Sequence, residues 1–424
     1  MKNSQHYVVD LFAGCGGLSL GLEQAGFTPA LVNELNPDAM ATYLRNRESI
    51  NPLLGSKYNV SDVKRLVLDD GMLADVLDGF RTDYGVRVDD GDLDLVVGGP
   101  PCQGFSGIGH RRSFSVEKHQ LPSNHLYQDM AYVVGRMRPK AFVFENVRGL
   151  LHSKWTAAGT NGEIWEDVLS TFRSLSGYEV RWSLVFAKDY GTPQNRPRVL
   201  MVGLREDIVS AARPELDAED AVRAGFLPAP FGEYPNLIDL LGDLVDPGYQ
   251  PGGVTHSYPL EPTAPVQEQL RRDRRGHVRR KGELLTEQEY SHHSQRVQEK
   301  FRHMLANGGE IPEHMRTKKF SQKLLTPVWG ARGPSITATS MPDDYVHFSQ
   351  PRVLTVREWA RLQMFPDWYE FSGKRTTGGI RRAGNPREGV FDRELPKYTQ
   401  IGNAVPVTLA RALGTHLMKV IQSA

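Results

Sequence analysis

The feature that most constrains this chain is a series of short apolar runs in its first half, separated by helical patterns. The runs occupy residues 7–12, 30–32, 94–97, 141–144 and 199–204, and residues 18–25 show a helical pattern between the first two. Each run is too short to be a stable helix of its own and has the length of a buried strand. Strands alternating with helices predict an α/β fold, doubly wound, with a mostly parallel sheet covered on both faces. In such sheets the side chains that do chemistry gather where the strands end. Beyond Leu204 the texture changes, and to about residue 350 the chain is rich in Pro, Gly, His and charge. A domain boundary is therefore expected near Arg205. Apolar periodicity returns at 353–365, a Gly/Arg-rich stretch fills 373–393, and a helix is predicted over 405–420. Pro406 suits its first turn, and Leu409, Leu413 and Leu417 form its apolar stripe.

Composition narrows the class. A chain of 424 residues with 39% hydrophobic and 24% charged residues reads as a globular protein of two domains or three. No apolar run approaches the roughly 18 residues of a membrane helix, and an intracellular, cytoplasmic location is expected by default. Two cysteines, Cys15 and Cys102, exclude a disulfide framework and a cysteine-based zinc site. His292, His293, His303 and His314 lack metal-ligand spacing, so no metal is expected. The net charge of +1 carries no nucleic-acid signal, but its distribution does. Arg271, Arg272, Arg274, Arg275, Arg279, Arg280 and Lys281 crowd one segment. Arg316, Lys318, Lys319 and Lys323 form a second cluster, and Lys374, Arg375, Arg381, Arg382 and Arg387 a third. Each could neutralise phosphates, and each alone could equally be a solvated loop.

The first strand runs into Asp10-Leu11-Phe12-Ala13-Gly14-Cys15-Gly16-Gly17 and then a helix. Glycines there let a nucleotide-like ligand approach the backbone. Glu34, closing the next strand, is placed to accept from two ribose hydroxyls, and Asp62 could accept from an adenine amino group. The same residues admit a dinucleotide site, with Gly14, Gly16 and Ser19 in the glycine positions, or a tight turn without ligand. A phosphate-binding P-loop is excluded because no Gly-Lys-Ser/Thr follows.

The strand at 93–97 leads into Gly98-Gly99-Pro100-Pro101-Cys102-Gln103. Two prolines stiffen this turn and fix the direction of the next side chain. Cys102 is thus a candidate nucleophile, weighed against the commoner buried structural thiol. Glu145, in Glu145-Asn146-Val147, closes another strand and could be a surface ion-pair partner or a general acid. Arg196 and Arg198 alternate, so in an extended segment they share a face that could hold a substrate carbonyl.

Together these blocks resemble the DNA cytosine-5 methyltransferase family, of the bacterial restriction-modification type. The residues that carry the resemblance are 10–17, Gly99-Pro100-Pro101-Cys102-Gln103, Glu145-Asn146-Val147, Gln194-Asn195-Arg196-Pro197-Arg198, 352–366, and Gln400-Ile401-Gly402-Asn403-Ala404-Val405-Pro406, in the family's order. The resemblance implies the S-adenosylmethionine-dependent methyltransferase version of the fold. It implies a catalytic domain of residues 1–204 and 399–424 and an irregular target-recognition domain of 205–398 that includes the bracing segment 352–366. The cofactor S-adenosyl-L-methionine, leaving as S-adenosyl-L-homocysteine, would lie at Phe12, Gly14, Gly16, Glu34, Asp62, Pro100, Leu126 and Asn403. Leu121-Pro122-Ser123-Asn124-His125 departs from the acid and arginine usual before that leucine, and Leu35 stands where many members carry an aromatic. Cys102 would attack C6 of a flipped cytosine, Glu145 would hold its N3/N4 edge, Arg196 would bond O2, and Arg198 would support the network. Gln103, Arg271, Arg272, Arg274, Arg275, Lys318 and Lys319 are the expected DNA contacts. Double-stranded DNA is the implied partner of a monomeric enzyme, and a cognate restriction endonuclease is a functional, not necessarily physical, companion. Three rivals stay open here: an RNA cytosine-5 methyltransferase, a catalytically silent DNA-binding relative, and a nicotinamide oxidoreductase.

Overall fold

The computed structural model describes residues 5–101, 122–156, 158–212, 215, 217–316, 321–327, 334–336, 344–377 and 394–424. Cys102, Gln103, Lys318 and Lys319, and with them most of the 373–393 stretch, lie outside the described residues.

Seven strands form one sheet: β1 (His6–Leu11), β2 (Phe27–Asn33), β3 (Asn59–Val60), β4 (Leu95–Gly98), β5 (Ala141–Val147), β6 (Tyr178–Phe186) and β7 (Pro197–Arg205). Their order is β3-β2-β1-β4-β5-β7-β6, and only β7 runs antiparallel to its neighbours. The central strands are apolar almost throughout because helices cover both faces. Register brings their ends level. Leu11 pairs with Asn33 and with Gly98, and Gly98 pairs with Phe144. On the far side Val147 pairs with Arg198 of the reversed strand. The strand order reverses between β1 and β4, the switch point where doubly wound sheets open a crevice.

Helix α1 (Gly17–Gln24) follows β1, and α2 (Pro37–Arg45) follows β2. The side chain of Asn36 caps α2 by accepting from the amides of Asp38 and Ala39. Leu126–Met137 (α3) and Glu163–Arg173 (α4) lead into and out of β5. The helix predicted at the end of the chain is Val407–Gln422, and its stripe of Leu409, Leu413 and Leu417 is buried with Leu18 and Leu22 of α1. This crossing is close enough to require a glycine. A Cβ on Gly21 would fall 2.4 Å from Ala410 Cβ and 2.5 Å from the Val407 carbonyl oxygen.

The region after β7 is irregular, as expected. Its strands among the described residues are two pairs of residues, Lys323–Leu324 and Tyr345–Val346. A core of its own holds it together and reaches the sheet. Leu237, Leu240, Trp359, Phe365 and Tyr369 are buried in one cluster with Cys15 and Leu20 of the first turn and helix. The expected bracing segment supplies a helix, Val356–Leu362, started by a capping box of Thr355 and Glu358. Its polar residues are buried in ion pairs: Arg352 with Glu358, and Arg361 with both Asp243 and Asp367. Among the described residues no helix is long and apolar enough to cross a membrane.

Candidate active site at the strand ends

The turn from β1 to α1 is built on backbone conformations that L side chains seldom adopt. Gly14 and Gly16 have φ of 57° and 82°, and Phe12 itself has φ of 57°. A bulky residue held there is strained, and such strain is retained where surroundings over-determine it. They do so here. Phe12 N–H donates to Asn33 Oδ1 at 3.3 Å, Ala13 N–H to the Asn33 carbonyl at 2.9 Å, and Gly14 N–H to Glu34 Oε2 at 2.8 Å. Glu34 Oε1 accepts from Asn36 N–H at 2.7 Å. Burial raises the Glu34 carboxyl above the ordinary glutamate range, and the amides of Asn36, Gly14 and Leu35 oppose the rise. Asn33 also donates from Nδ2 to the Val60 and Ser61 carbonyls, which ties this turn to the edge strand that leads to Asp62. Asp62 is exposed and accepts from Lys64 N–H. Sequence reasoning missed Asn33; the signal was an amide one residue before Glu34 at a strand end.

Leu35 is 72% exposed although the strand before it is buried. Cys15 faces the other way. Its thiol is 1% exposed, lies 3.4 Å from the Gln400 carbonyl, and is pushed by burial up to about 12. It is a small core residue of the turn. Asp10 behind it is also buried; desolvation raises its carboxyl to about 7, although Ser19 donates to it at 2.5 Å.

Pro100 sits at the end of β4, and its carbonyl accepts from Asn146 Nδ2 at 3.0 Å, so the Glu-Asn-Val block grips the turn that leads to Cys102. A Cβ on Gly99 would lie 2.9 Å from Glu145 Oε2. Glycine is needed there to admit the carboxylate. Arg198 Nε lies 2.5 Å from Glu145 Oε1, and both side chains are about nine-tenths buried. Burial pulls the Arg198 guanidinium below the usual arginine range, and Glu145 opposes it.

Arg196 departs from the expectation that it faces a base. Its Nη2 donates to the carbonyls of Gly402 at 2.7 Å and Ala404 at 3.1 Å, and its Nη1 to the Ile336 carbonyl. It therefore caps the C-terminal end of the helix Lys397–Asn403, where orphan carbonyls attract a cation. Gln194 belongs to the same seam, bonding the Leu362 carbonyl, Gln363 and Ile336 N–H. Side chains that alternate on a strand share a face, but Arg196 and Arg198 reach different partners from it. Asn403, exposed at the end of that helix, and Leu126, at the start of α3, are the remaining expected cofactor residues in view.

The basic clusters require correction. Arg271 is 1% exposed, pairs with Asp243 at 2.7 Å and lies 3.8 Å over the Tyr258 ring, so it cannot touch DNA. Arg274 stacks 4.1 Å over Trp368 and donates to the Asn46 carbonyl. Arg316 pairs with Glu310, Lys374 with Glu394, and Arg375 lies by Glu289. Arg272, Arg274 and Arg275 remain exposed, although Arg272 bonds the Gly276 carbonyl. A run of basic residues does not show which of them have partners, such as Asp243 for Arg271, 28 residues away.

A seven-stranded sheet with one reversed strand, a strained glycine turn at the switch point and a buried carboxylate–guanidinium pair beside it define an α/β methyltransferase. The chain belongs to the family of C-5 cytosine-specific DNA methylases, whose family model matches residues 7–419. It is a DNA cytosine methyltransferase, similar to those of restriction-modification systems. It is 31% identical to the Type II methyltransferase M.DdeI of Desulfomicrobium norvegicum, over 97% of this chain and 88% of that protein. It is 29% identical to M.XorII of Xanthomonas oryzae pv. oryzae, over 98% and 85%. Among solved structures, a protein described as a DNA modification methyltransferase encoded within an E. coli prophage superposes with a TM-score of 0.65 at 23% identity, over 98% of this chain and 99% of that one, which supports the fold.

Proposed function

We propose that this enzyme transfers the methyl group of S-adenosylmethionine to carbon 5 of a cytosine flipped out of duplex DNA, through a covalent bond from Cys102 to C6. The observation that carries the reading is the Glu145–Arg198 pair at 2.5 Å, set against the Gly99–Pro100 turn that runs directly into Cys102. The cofactor residues fit their ligand. Glu34 is oriented by two amides at the end of β2, and the exposed Leu35 beside it offers an apolar face to a planar ring. When bound, the cofactor supplies an electrophilic methyl on a sulfonium.

Cytosine C5 is a poor nucleophile. Attack of the Cys102 thiolate on C6 pushes electron density to C5, which then takes the methyl. Loss of the C5 proton and expulsion of the thiolate restore the ring. Glu145 holds the N3/N4 edge. Arg198, rather than Arg196, is the guanidinium beside that carboxylate, and we assign to it the contact with O2, where negative charge accumulates. Arg196 and Gln194 hold the seam that places Asn403. Extrusion of the base costs about a few kcal/mol for unstacking and unpairing. We assign DNA reading to residues 205–398 and catalysis to 1–204 and 399–424, with Arg272, Arg274, Arg275, Gln103, Lys318 and Lys319 as the DNA contacts retained from the sequence.

Cys102→Ser is expected to abolish turnover, and duplex DNA containing 5-fluorocytosine to trap a covalent complex that survives denaturation. Full activity of Cys102→Ser would sink the mechanism. Bisulfite sequencing of DNA from cells expressing the chain reads base, position and sequence context together.

A further inference from the structure

The glycine turn is held from two sides, and the side away from Glu34 is held by residues no sequence block contains. Tyr369 Oη donates to the Cys15 carbonyl at 2.6 Å, and Arg47 Nη2 donates to the Gly16 carbonyl at 3.2 Å. Arg47 Nη1 donates to Tyr369 Oη at 2.9 Å, so the two act as one clamp. Arg47 is fixed in turn by a fork of bonds to Glu23, at 2.8 and 3.1 Å, and by the face of Tyr43 at 3.9 Å. The clamp itself is buried, Arg47 being 1% and Tyr369 0% exposed. Gly16 shows independently how tight the clamp is. A Cβ there would lie 2.8 Å from Arg47 Nη1, from Tyr369 Oη and from Tyr43 Cδ2.

Arg47 follows α2 in the sheet domain, whereas Tyr369 comes from the far end of the chain, after the bracing helix. Its own carbonyl accepts from Arg357 Nη2 at 3.0 Å, and the preceding Trp368 carries Arg274. The irregular region thereby grips the cofactor turn at the Cys15 carbonyl, one residue on from the Gly14 N–H that bonds Glu34.

We propose that Tyr369, through Arg47, is a positioning residue for S-adenosylmethionine: its hydroxyl sets the carbonyls of Cys15 and Gly16 and so the aim of the turn that receives the cofactor. This rests on the assignment of that turn to the cofactor. A residue of this kind adds binding strength in ground and transition states alike, so its loss raises KM without lowering kcat.

Tyr369→Phe keeps the ring packed against Phe365 and Phe371 and removes only the hydroxyl. In the full-length chain it is expected to raise the Kd for S-adenosylmethionine, measured by titration calorimetry, and the corresponding KM about tenfold. Turnover at saturating cofactor stays within about threefold of the parent, since a tenfold change in binding is about 1.4 kcal/mol of an interaction outside the reacting atoms. Tyr178→Phe is the control, because it deletes an equally short buried bond, to the Pro139 carbonyl at 2.6 Å, at the opposite end of the sheet. It should lower thermal stability and leave cofactor affinity unchanged. Cofactor affinity of Tyr369→Phe within twofold of the parent overturns the proposal, as does an equal loss of affinity in Tyr178→Phe. Failure of the parent enzyme itself to bind S-adenosylmethionine would overturn instead the assignment of the turn, and the proposal with it.

Discussion

Gly99→Ala tests the proposed base pocket with one added methyl group. The φ of Gly99 lies outside the left-handed region, so alanine can adopt its backbone, and the unfolded chain loses entropy in alanine's favour by about 0.4–1 kcal/mol. Among the described residues the new Cβ meets Glu145 alone, 2.9 Å from Oε2 and 3.5 Å from its carbonyl oxygen. Ordinary carbon contacts begin near roughly 3.5 Å, so the carboxylate must retreat by about half an ångström. It cannot do so without disturbing the 2.5 Å contact with Arg198. A misplacement of about 1 Å in a catalytic constellation costs on the order of 100-fold, and half of that about tenfold, or roughly 1.4 kcal/mol in the barrier. The assay is transfer of labelled methyl from S-adenosylmethionine into duplex DNA, read as kcat/KM for DNA beside a thermal unfolding curve. About tenfold lower kcat/KM with an unchanged or slightly raised Tm is expected. Activity within twofold of the parent would refute the claim that Glu145 works from the position shown.

Three further outcomes follow from the buried polar residues and one helix. Arg361→Met removes the guanidinium that buried Asp243 and Asp367 share, leaving Asp243 to Arg271 and Asp367 to the Tyr258 hydroxyl and Arg357, and should cost about 1.5–3 kcal/mol in urea unfolding, with Arg361→Lys in between. His347 is held down to about 3, first by burial and then by Arg352. A histidine depressed in this way is neutral in the fold and takes up a proton on unfolding, so its contribution to stability is intact above about 6.5 and falls as pH drops toward 3. Asp10, raised to about 7 by burial, acts in the opposite sense over pH 4–7, so the readout is the difference between parent and His347→Gln, which should change by about 1.4 kcal/mol per pH unit between pH 6 and 4 and stay flat above pH 7. Gly135→Ala, in the helix Leu126–Met137 with its nearest neighbour 3.6 Å away, should stabilise the protein by about 0.5–1 kcal/mol, seen as a higher urea midpoint.

The strands legible in the sequence were those buried on both faces, because a continuous apolar run is its own signature. The edge strand Tyr178–Phe186 escaped, since Glu179, Arg181 and Ser183 interrupt its apolar run. The strand Asn59–Val60 is too short to register. Glu145 and Arg198 were visible because a strand end dictates where a side chain emerges. The destination of Arg196 was not, for it depends on carbonyls some 200 residues further on. Arg271 failed as a DNA contact for the same reason: Asp243, which neutralises it, precedes it in a different segment. Arg47 and Tyr369 carried no signal, because a buried arginine and a buried tyrosine become conspicuous only when each finds the other.

The packing of α1 against Val407–Gln422 also bears on how the protein is made. Leu18 and Leu22 leave the ribosome about 390 residues before the leucines that cover them. At about 5–20 residues per second the first helix waits roughly 20–80 s with an apolar face uncovered. A nascent chain in this condition is a natural client for chaperones that bind exposed apolar helices, and slow codons placed late in the message would lengthen its exposure without altering a single residue of the finished enzyme.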